Sequence, residues 1–161
     1  MHFLWNWIIK AALAKFTGAS RRFELVGSYS DINVYDDYAH HPSEVLATAK
    51  AMKNKNYRQS WVIFQPHTYS RTKELLDDFA ESLLNFDNVI ITDIYAARET
   101  NTYGVSSKDL VAKINELGKS AIYISDFNDI AKYIKSHACP HDIVLTLGAG
   151  TVTNVGAKIL T

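Results

Sequence analysis

The 161-residue chain has one cysteine, Cys139, so no intrachain disulfide can form, and that fits a reducing compartment. Seven glycines and three prolines are too few for a linker-rich or low-complexity chain. Charge of one sign is lacking too. Lys and Arg number 17 and Asp and Glu number 17, for a formal net charge of zero. This argues against a general nucleic-acid or anionic-membrane binder, which carries a basic excess. No apolar run approaches the roughly 20 residues that span a bilayer. The phosphate-loop pattern GxxxxGKS/T, a complete GxGxxG, HExxH and CxxC are all absent. Without them a self-sufficient ATPase, a dinucleotide fold and common zinc sites lose their signatures. What is present is 47% apolar and 21% charged, the composition of one globular domain with room for a real core.

The first nine residues, MHFLWNWII, hold seven apolar side chains with no basic cluster ahead of them, so they lack the start of a signal peptide. Residues 1–16 are expected to form a short apolar helix or a truncated connection. Residues 17–161 form the main domain. The apolar segment is expected to pack on that domain or on a second copy, which makes a homodimer conceivable.

Along the main domain, apolar strands alternate with amphipathic helices. Strands are expected at 23–28, 32–36, 61–65, 89–94, 121–124 and 143–147. Helices are expected at 42–52, 73–84, 107–117, 127–134 and 152–160, each with apolar residues at helical spacing. Pro42 suits a first helical position. The pattern implies an α/β fold: a mostly parallel sheet with helices on both faces, opened by a short antiparallel strand pair.

In such a sheet, ligands bind beyond the carboxyl ends of the strands. The loops at the amino edge (KNKNYRQS, NFDN, LGKS, SHACPHD) read as ordinary solvated connections, apart from the histidines of the last. The loops at the carboxyl edge read DDYAHHP, QPHTYSRT, DIYAARET and GAGT. Carboxylates, histidines, arginines and tyrosines collect there. In DDYAHHP, an Asp at a strand end can meet a ribose hydroxyl or hold a catalytic group. Metal binding competes, and so does a plain structural reading with His41 as helix cap and Asp36 as turn former. His67 and Arg71 stand four apart at a helix start, where a guanidinium can grip a carboxylate or phosphate in a bidentate fork. Ser70 to Lys73 also matches SxxK, but SDN and KTG are absent. Arg98 and Glu99 fit an ion pair as well as a ligand contact. GAGT fits tight strand–helix packing better than an anion site. Arg21 and Arg22 fit a phosphate contact or solvent equally.

Taken together, ALAKFTGASRRFE, DDYAHHPSEV, FQPHTYSRT, DIYAARET and TLGAGT resemble, in order and spacing, the C-terminal domain of the Mur ligases over residues 11 to 161. The resemblance implies a Rossmann-like domain of a cytoplasmic, three-domain enzyme of bacterial peptidoglycan synthesis. The implied chemistry is ATP-driven joining of L-alanine to UDP-N-acetylmuramate through an acyl phosphate. ATP and Mg2+ would be held mainly by a central domain outside this chain. The N-terminal and central ligase domains would be the partners, and the chain alone would be inactive. Carried over by motif, Tyr38, His67 and Arg71 would hold the amino acid, with Arg71 on its carboxylate. Arg22, Asp37 and His40 would face the nucleotide, Asp37 at the ribose. Thr68 departs from the family where an Arg often stands, and Thr151 where Asp or Asn is common. Two other classes remain open. One is a stand-alone amino-acid or nucleotide binding module, since folds host many functions. The other is a metal-dependent hydrolase using Asp37, His40 and His67.

Overall fold

The structure, a computed structural model, describes residues 20–161. The expected N-terminal helix, and the self-contact expected of it, lie outside the described residues.

Six strands form one sheet in the order β1-β2-β6-β3-β4-β5. They are β1 (Glu24–Tyr29), β2 (Ile32–Asp37), β3 (Ser60–Phe64), β4 (Asn88–Ile91), β5 (Ala121–Tyr123) and β6 (Ile143–Leu147). Helices α1 (Pro42–Met52), α2 (Tyr69–Glu74), α3 (Leu76–Leu83), α4 (Ser107–Glu116), α5 (Phe127–His137) and α6 (Thr153–Leu160) connect and close it. β1 pairs antiparallel with β2, with a register shift between Leu25 and Gly27. Every other pairing is parallel.

The strands are short apolar runs because both faces of the sheet are covered. Val62, Phe64, Leu145 and Leu147 pack with Val45 and Met52 of α1, Phe79 and Leu83 of α3, and Leu110 and Ile114 of α4. The alternate residues Trp61, Ile63 and Val144 pack with Ile130 and Ile134 of α5 and Val155 and Ile159 of α6. Three elements differ most from expectation, and the first is the strand expected at 89–94, which stops at Ile91. The expected helix at 73–84 begins four residues earlier, at Tyr69, and breaks at Leu75, whose φ of −110° and ψ of 25° leave the helical region. The helix expected to end at 134 runs on to His137, where the His137 ring stacks 3.9 Å from Tyr133.

The topology places the site. The chain leaves β2 and β3 toward the face that carries α1 and α3. It leaves β6, which lies between them, toward the opposite face and α6. Loops that diverge to opposite faces open a crevice at the carboxyl edge, the usual ligand position in open α/β sheets.

Candidate functional site

Three loops meet in that crevice: residues 37–41 after β2, 65–71 after β3 and 148–151 after β6. In the first, His41 caps α1. Its Nδ1 accepts from the Ser43 amide at 3.4 Å, and Glu44 reaches back to accept from the amides of His40 (2.9 Å) and His41 (3.2 Å). The capping box spends His41 locally and leaves Tyr38 and His40 facing the edge. Tyr38 is exposed, and its ring meets the His40 ring edge-on at 5.3 Å. His40 Nδ1 lies 3.0 Å from the Tyr38 carbonyl, so that nitrogen carries the proton and donates.

The second loop turns on Thr68, held at φ 64° in the left-handed region that β-branched residues avoid. Its amide donates to the Tyr95 carbonyl at 2.9 Å, and its carbonyl accepts from the Thr72 amide (3.2 Å) and hydroxyl (2.6 Å). Its hydroxyl accepts from the Arg71 amide at 3.4 Å, capping α2. Strain of this kind persists where the surroundings over-determine a conformation, commonly at functional sites. The turn swings His67 to within 5.6 Å of the His40 ring, and Arg71 Nη1 lies 3.5 Å from His67 Nδ1. A guanidinium only donates, so Nδ1 presents a lone pair and Nε2 bears the proton. Burial, reinforced by the charges of Arg71 and His40 and partly opposed by Glu99, pushes the His67 imidazole below its ordinary value, which keeps it neutral. Arg71 lines a cleft of about 450 Å³ together with His41, Thr68, Ser70, Glu74 and Glu99.

The residues expected to face a nucleotide are placed unevenly. His40 lies in the crevice beside His67. Arg22 is exposed, and its charge reaches Glu44. Burial pushes that carboxyl up, but it is held below its ordinary value by the His40 and His41 amides and by the charges of His40 and Arg22. Asp37 is turned inward. It is 5% exposed and accepts from the Phe23 amide (3.1 Å), the Ala39 amide (2.9 Å) and the Thr48 hydroxyl (3.0 Å). The geometry makes Asp37 a strut that fixes the neighbours of Arg22 on one side and of Tyr38 and His40 on the other. Asp36 is no turn former either. It binds Arg21 Nε at 2.7 Å and accepts from the Thr146 hydroxyl of β6. Arg21 also donates to the Gly148 carbonyl at 2.6 Å and lies 5.0 Å over the Tyr38 ring. Of the two adjacent arginines, Arg21 is thus built into the fold and Arg22 is left outside.

Two residues of DIYAARET, a motif whose signal is weak in the sequence, contribute here. Tyr95 stacks on His67 at 5.7 Å, joined to it by an isolated parallel bridge. A pairing so distant in sequence leaves no local signal. Glu99 accepts from both the Ser70 amide (2.9 Å) and the Ser70 hydroxyl. Those bonds hold its carboxyl below the ordinary range, and its partner is α2 rather than Arg98. The GAGT turn is packed as expected. Gly148 has φ 145°, and a Cβ there would meet the Gln65 carbonyl at 2.7 Å. Gln65, 4% exposed, holds the turn by accepting from the Val152 amide at 3.0 Å.

Among the described residues, no group of three or more His, Cys, Asp or Glu side chains is placed to share a metal ion. No helix among them is long and apolar enough to cross a membrane. A second cleft, of about 570 Å³, lies across Tyr69 between the ends of β4 and β5. Its Asp93 is engaged by the hydroxyls of Tyr123 and Ser125, and none of the expected residues line it.

Comparison with known proteins bears on this site. Residues 21–150 match the family described as Mur ligase, glutamate ligase domain. A UDP-N-acetylmuramate–L-alanine ligase of Acetivibrio thermocellus is 52% identical over 152 residues, 94% of this chain and 32% of that protein. The chain therefore spans about a third of the length of the curated relatives it matches. Among solved structures, a UDP-N-acetylmuramate–alanine ligase from Thermotoga maritima superposes with a TM-score of 0.71 at 28% identity. That match covers 92% of this chain and 31% of the other. A murein peptide ligase from Psychrobacter arcticus gives the same TM-score and identity over 93% of this chain and 31% of its own.

Proposed function

The chain belongs to the Mur ligase family, as its C-terminal domain, and from that premise we propose that its carboxyl edge receives L-alanine for ATP-driven joining to UDP-N-acetylmuramate. The observation that supports this most is the convergence of Tyr38, His40, His67 and Arg71 from two loops at one end of the sheet. Arg71 offers a guanidinium fork to the amino-acid carboxylate. The carboxylates of Glu74 and Glu99 line the same cleft, so it carries both signs of charge, as a zwitterion requires. Neutral His67 presents Nε2–H as a further donor without crowding Arg71 with a second positive charge. Tyr38 supplies an exposed ring at the mouth of the crevice.

The chain's nucleotide-facing groups are Arg22, which suits a phosphate, and His40, with Asp37 holding both in place through the Phe23 and Ala39 amides. When bound, ATP supplies the phosphoryl group that activates the acceptor carboxylate. The phosphate loop belongs to the partner ligase domains, because this chain has no GxxxxGKS/T pattern, and the Mg2+ would be held there with it. The reaction belongs to the cytoplasmic steps of peptidoglycan synthesis.

The test is phosphate release from ATP with UDP-N-acetylmuramate and L-alanine. It compares this chain alone with the chain mixed with separately made N-terminal and central domains of a related ligase. Release is expected only in the mixture, and Arg71→Ala should abolish its dependence on alanine. Alanine-dependent release that survives Arg71→Ala would remove the clamp assignment. Release by the chain alone would remove the division of labour between domains.

A further inference from the structure

Deepening the amino-acid reading, on which it rests, we propose that Tyr95 and Gly150 form a positioning layer that fixes the plane of His67 against Arg71. Three observations carry this. First, the backbone of Tyr95 grips the turn on both sides of His67. Its amide donates to the Pro66 carbonyl at 2.8 Å and its carbonyl accepts from the Thr68 amide at 2.9 Å. Second, the Tyr95 ring stacks on the His67 ring at 5.7 Å and 27°, and the imidazole has the Arg71 guanidinium 3.5 Å from its Nδ1. Third, the backbone of the GAGT turn lies against the base of the Tyr95 side chain, while the residue stays 37% exposed. A Cβ at Gly150 would lie 2.7 Å from Tyr95 Cγ and 2.3 Å from Gln65 Oε1. Glycine is the residue that lets the GAGT turn approach this closely.

These contacts make a stack running from Gly150 through Tyr95 to His67 and Arg71. It joins the turn after β6 to the loop after β3 through a residue from beyond β4. Half-buried His67 is covered on one side by the Tyr95 ring, and Gly150 limits how far the Tyr95 side chain can shift. Among the described residues the Tyr95 hydroxyl has no hydrogen-bond partner, so the ring does the positioning. Phenylalanine should serve as well. Tyr95 acts on the amino acid through His67 and is a positioning residue.

The test is an NMR pH titration of the histidine Cε1–H signals of this chain, each state repeated with added L-alanine. The groups facing His67 are Arg71, His40 and Glu99, and these stay unchanged in all variants. In Tyr95→Ala the His67 midpoint should rise toward the ordinary imidazole value, because the ring that covers it is gone. The L-alanine response should weaken on the order of ten- to a hundredfold, the scale on which misplaced groups cost binding and catalysis. Tyr95→Phe should restore both. Gly150→Ala, which touches neither His67 nor Arg71, should weaken the L-alanine response as well. A His67 midpoint unmoved in Tyr95→Ala would overturn the proposal. So would Tyr95→Phe behaving as Tyr95→Ala does, since the hydroxyl would then be meeting the ligand directly. A wild-type chain whose His67 ignores L-alanine would count against the amino-acid reading, while the midpoints would still decide the positioning role.

Discussion

The two edges of the sheet carry similar residues and treat them in opposite ways. At the amino edge Asp142 is 1% exposed and accepts from Arg58 (2.8 Å), the Gln59 amide (3.2 Å), Trp61 Nε1 (2.9 Å) and the Cys139 amide (2.9 Å). Asp87 takes the Ser60 amide (2.8 Å) and hydroxyl (2.7 Å) in the same way. These acids tie the starts of β3, β4 and β6 together, and buried Asp142 has both of its oxygens engaged by the protein. At the carboxyl edge, Arg71 has one long contact to His67, and Arg22 has no hydrogen-bond partner among the described residues. Arg21, Asp36, Asp37, His41, Glu44 and Glu99 are spent internally there, and the groups left open are Arg22, Tyr38 and Arg71. A polar cluster satisfied by its own chain is structure. A cluster left open beside a cleft is available for a ligand, which is where locally unsatisfied chemistry collects in natural proteins.

The contrast can be broken from either side. The largest effect on stability is expected at the closed edge. Asp142→Ala strands the Trp61 indole N–H and two backbone amides, and should cost about 3 kcal/mol or more. Urea denaturation measures this. The L-alanine response of the folded fraction should be unaffected. Next comes Arg71→Ala at the open edge. It should cost about 2–3 kcal/mol of amino-acid binding, a loss of affinity of roughly 30- to 150-fold. The urea midpoint should stay put, because the guanidinium holds little of the fold together. A large drop in stability would show that Arg71 is structural and blur the contrast.

Gly148→Ala probes the part of the open edge that is built for packing. With φ at 145° and the Gln65 carbonyl 2.7 Å from the added methyl, it should destabilise by about 1–3 kcal/mol.

The smallest expected effects concern pH. Burial raises the Asp142 carboxyl, but the hydrogen bonds from Cys139, Trp61 and Arg58 outweigh it and leave it below the ordinary range. Its contribution is therefore present above that range and is lost as pH falls through its depressed value. His67 is depressed too, from an ordinary value of 6.5. Between that value and its folded one the unfolded chain binds the extra proton, so stability declines as pH falls through this higher window and then levels off. The urea midpoint should drop in two separate steps on acidification. His67→Gln should erase the upper step and Asp142→Asn should shrink the lower, to which the depressed carboxyls of Glu44 and Glu99 also contribute. A single step in the parent chain would contradict the assignment.

Much of the fold is legible in the residues themselves. Val45, Ala49 and Met52, or Phe79 and Leu83, recur at helical spacing because one helix face must be buried. The runs 61–64 and 143–147 are apolar but for Thr146 because both sides of their strands are covered. These are local consequences of burial, and His41 as a helix cap is a local consequence of unpaired helix amides. The i, i+4 spacing of His67 and Arg71 brings them onto one side of a turn, so their pairing was legible as well.

Neighbours distant in sequence were not. Nothing local distinguishes Arg21 from Arg22. The fold chooses Arg21 because the carbonyl of Gly148, 127 residues away, and the carboxylate of Asp36 lie within its reach. The same holds for Asp37, which reads as a ligand group but is turned inward by amides from Phe23 and Ala39. Sequence alone determined the alternation of strands and helices and the loops in which the His, Arg, Asp and Tyr side chains collect. The tertiary structure decided that β6 inserts between β2 and β3. That insertion opens the crevice, sets Gly150 behind Tyr95 and Tyr95 against His67, and separates the groups spent on the fold from those left for a ligand. Hydrophobic periodicity is written within each element, whereas hydrogen-bond satisfaction is settled only once distant elements are packed together.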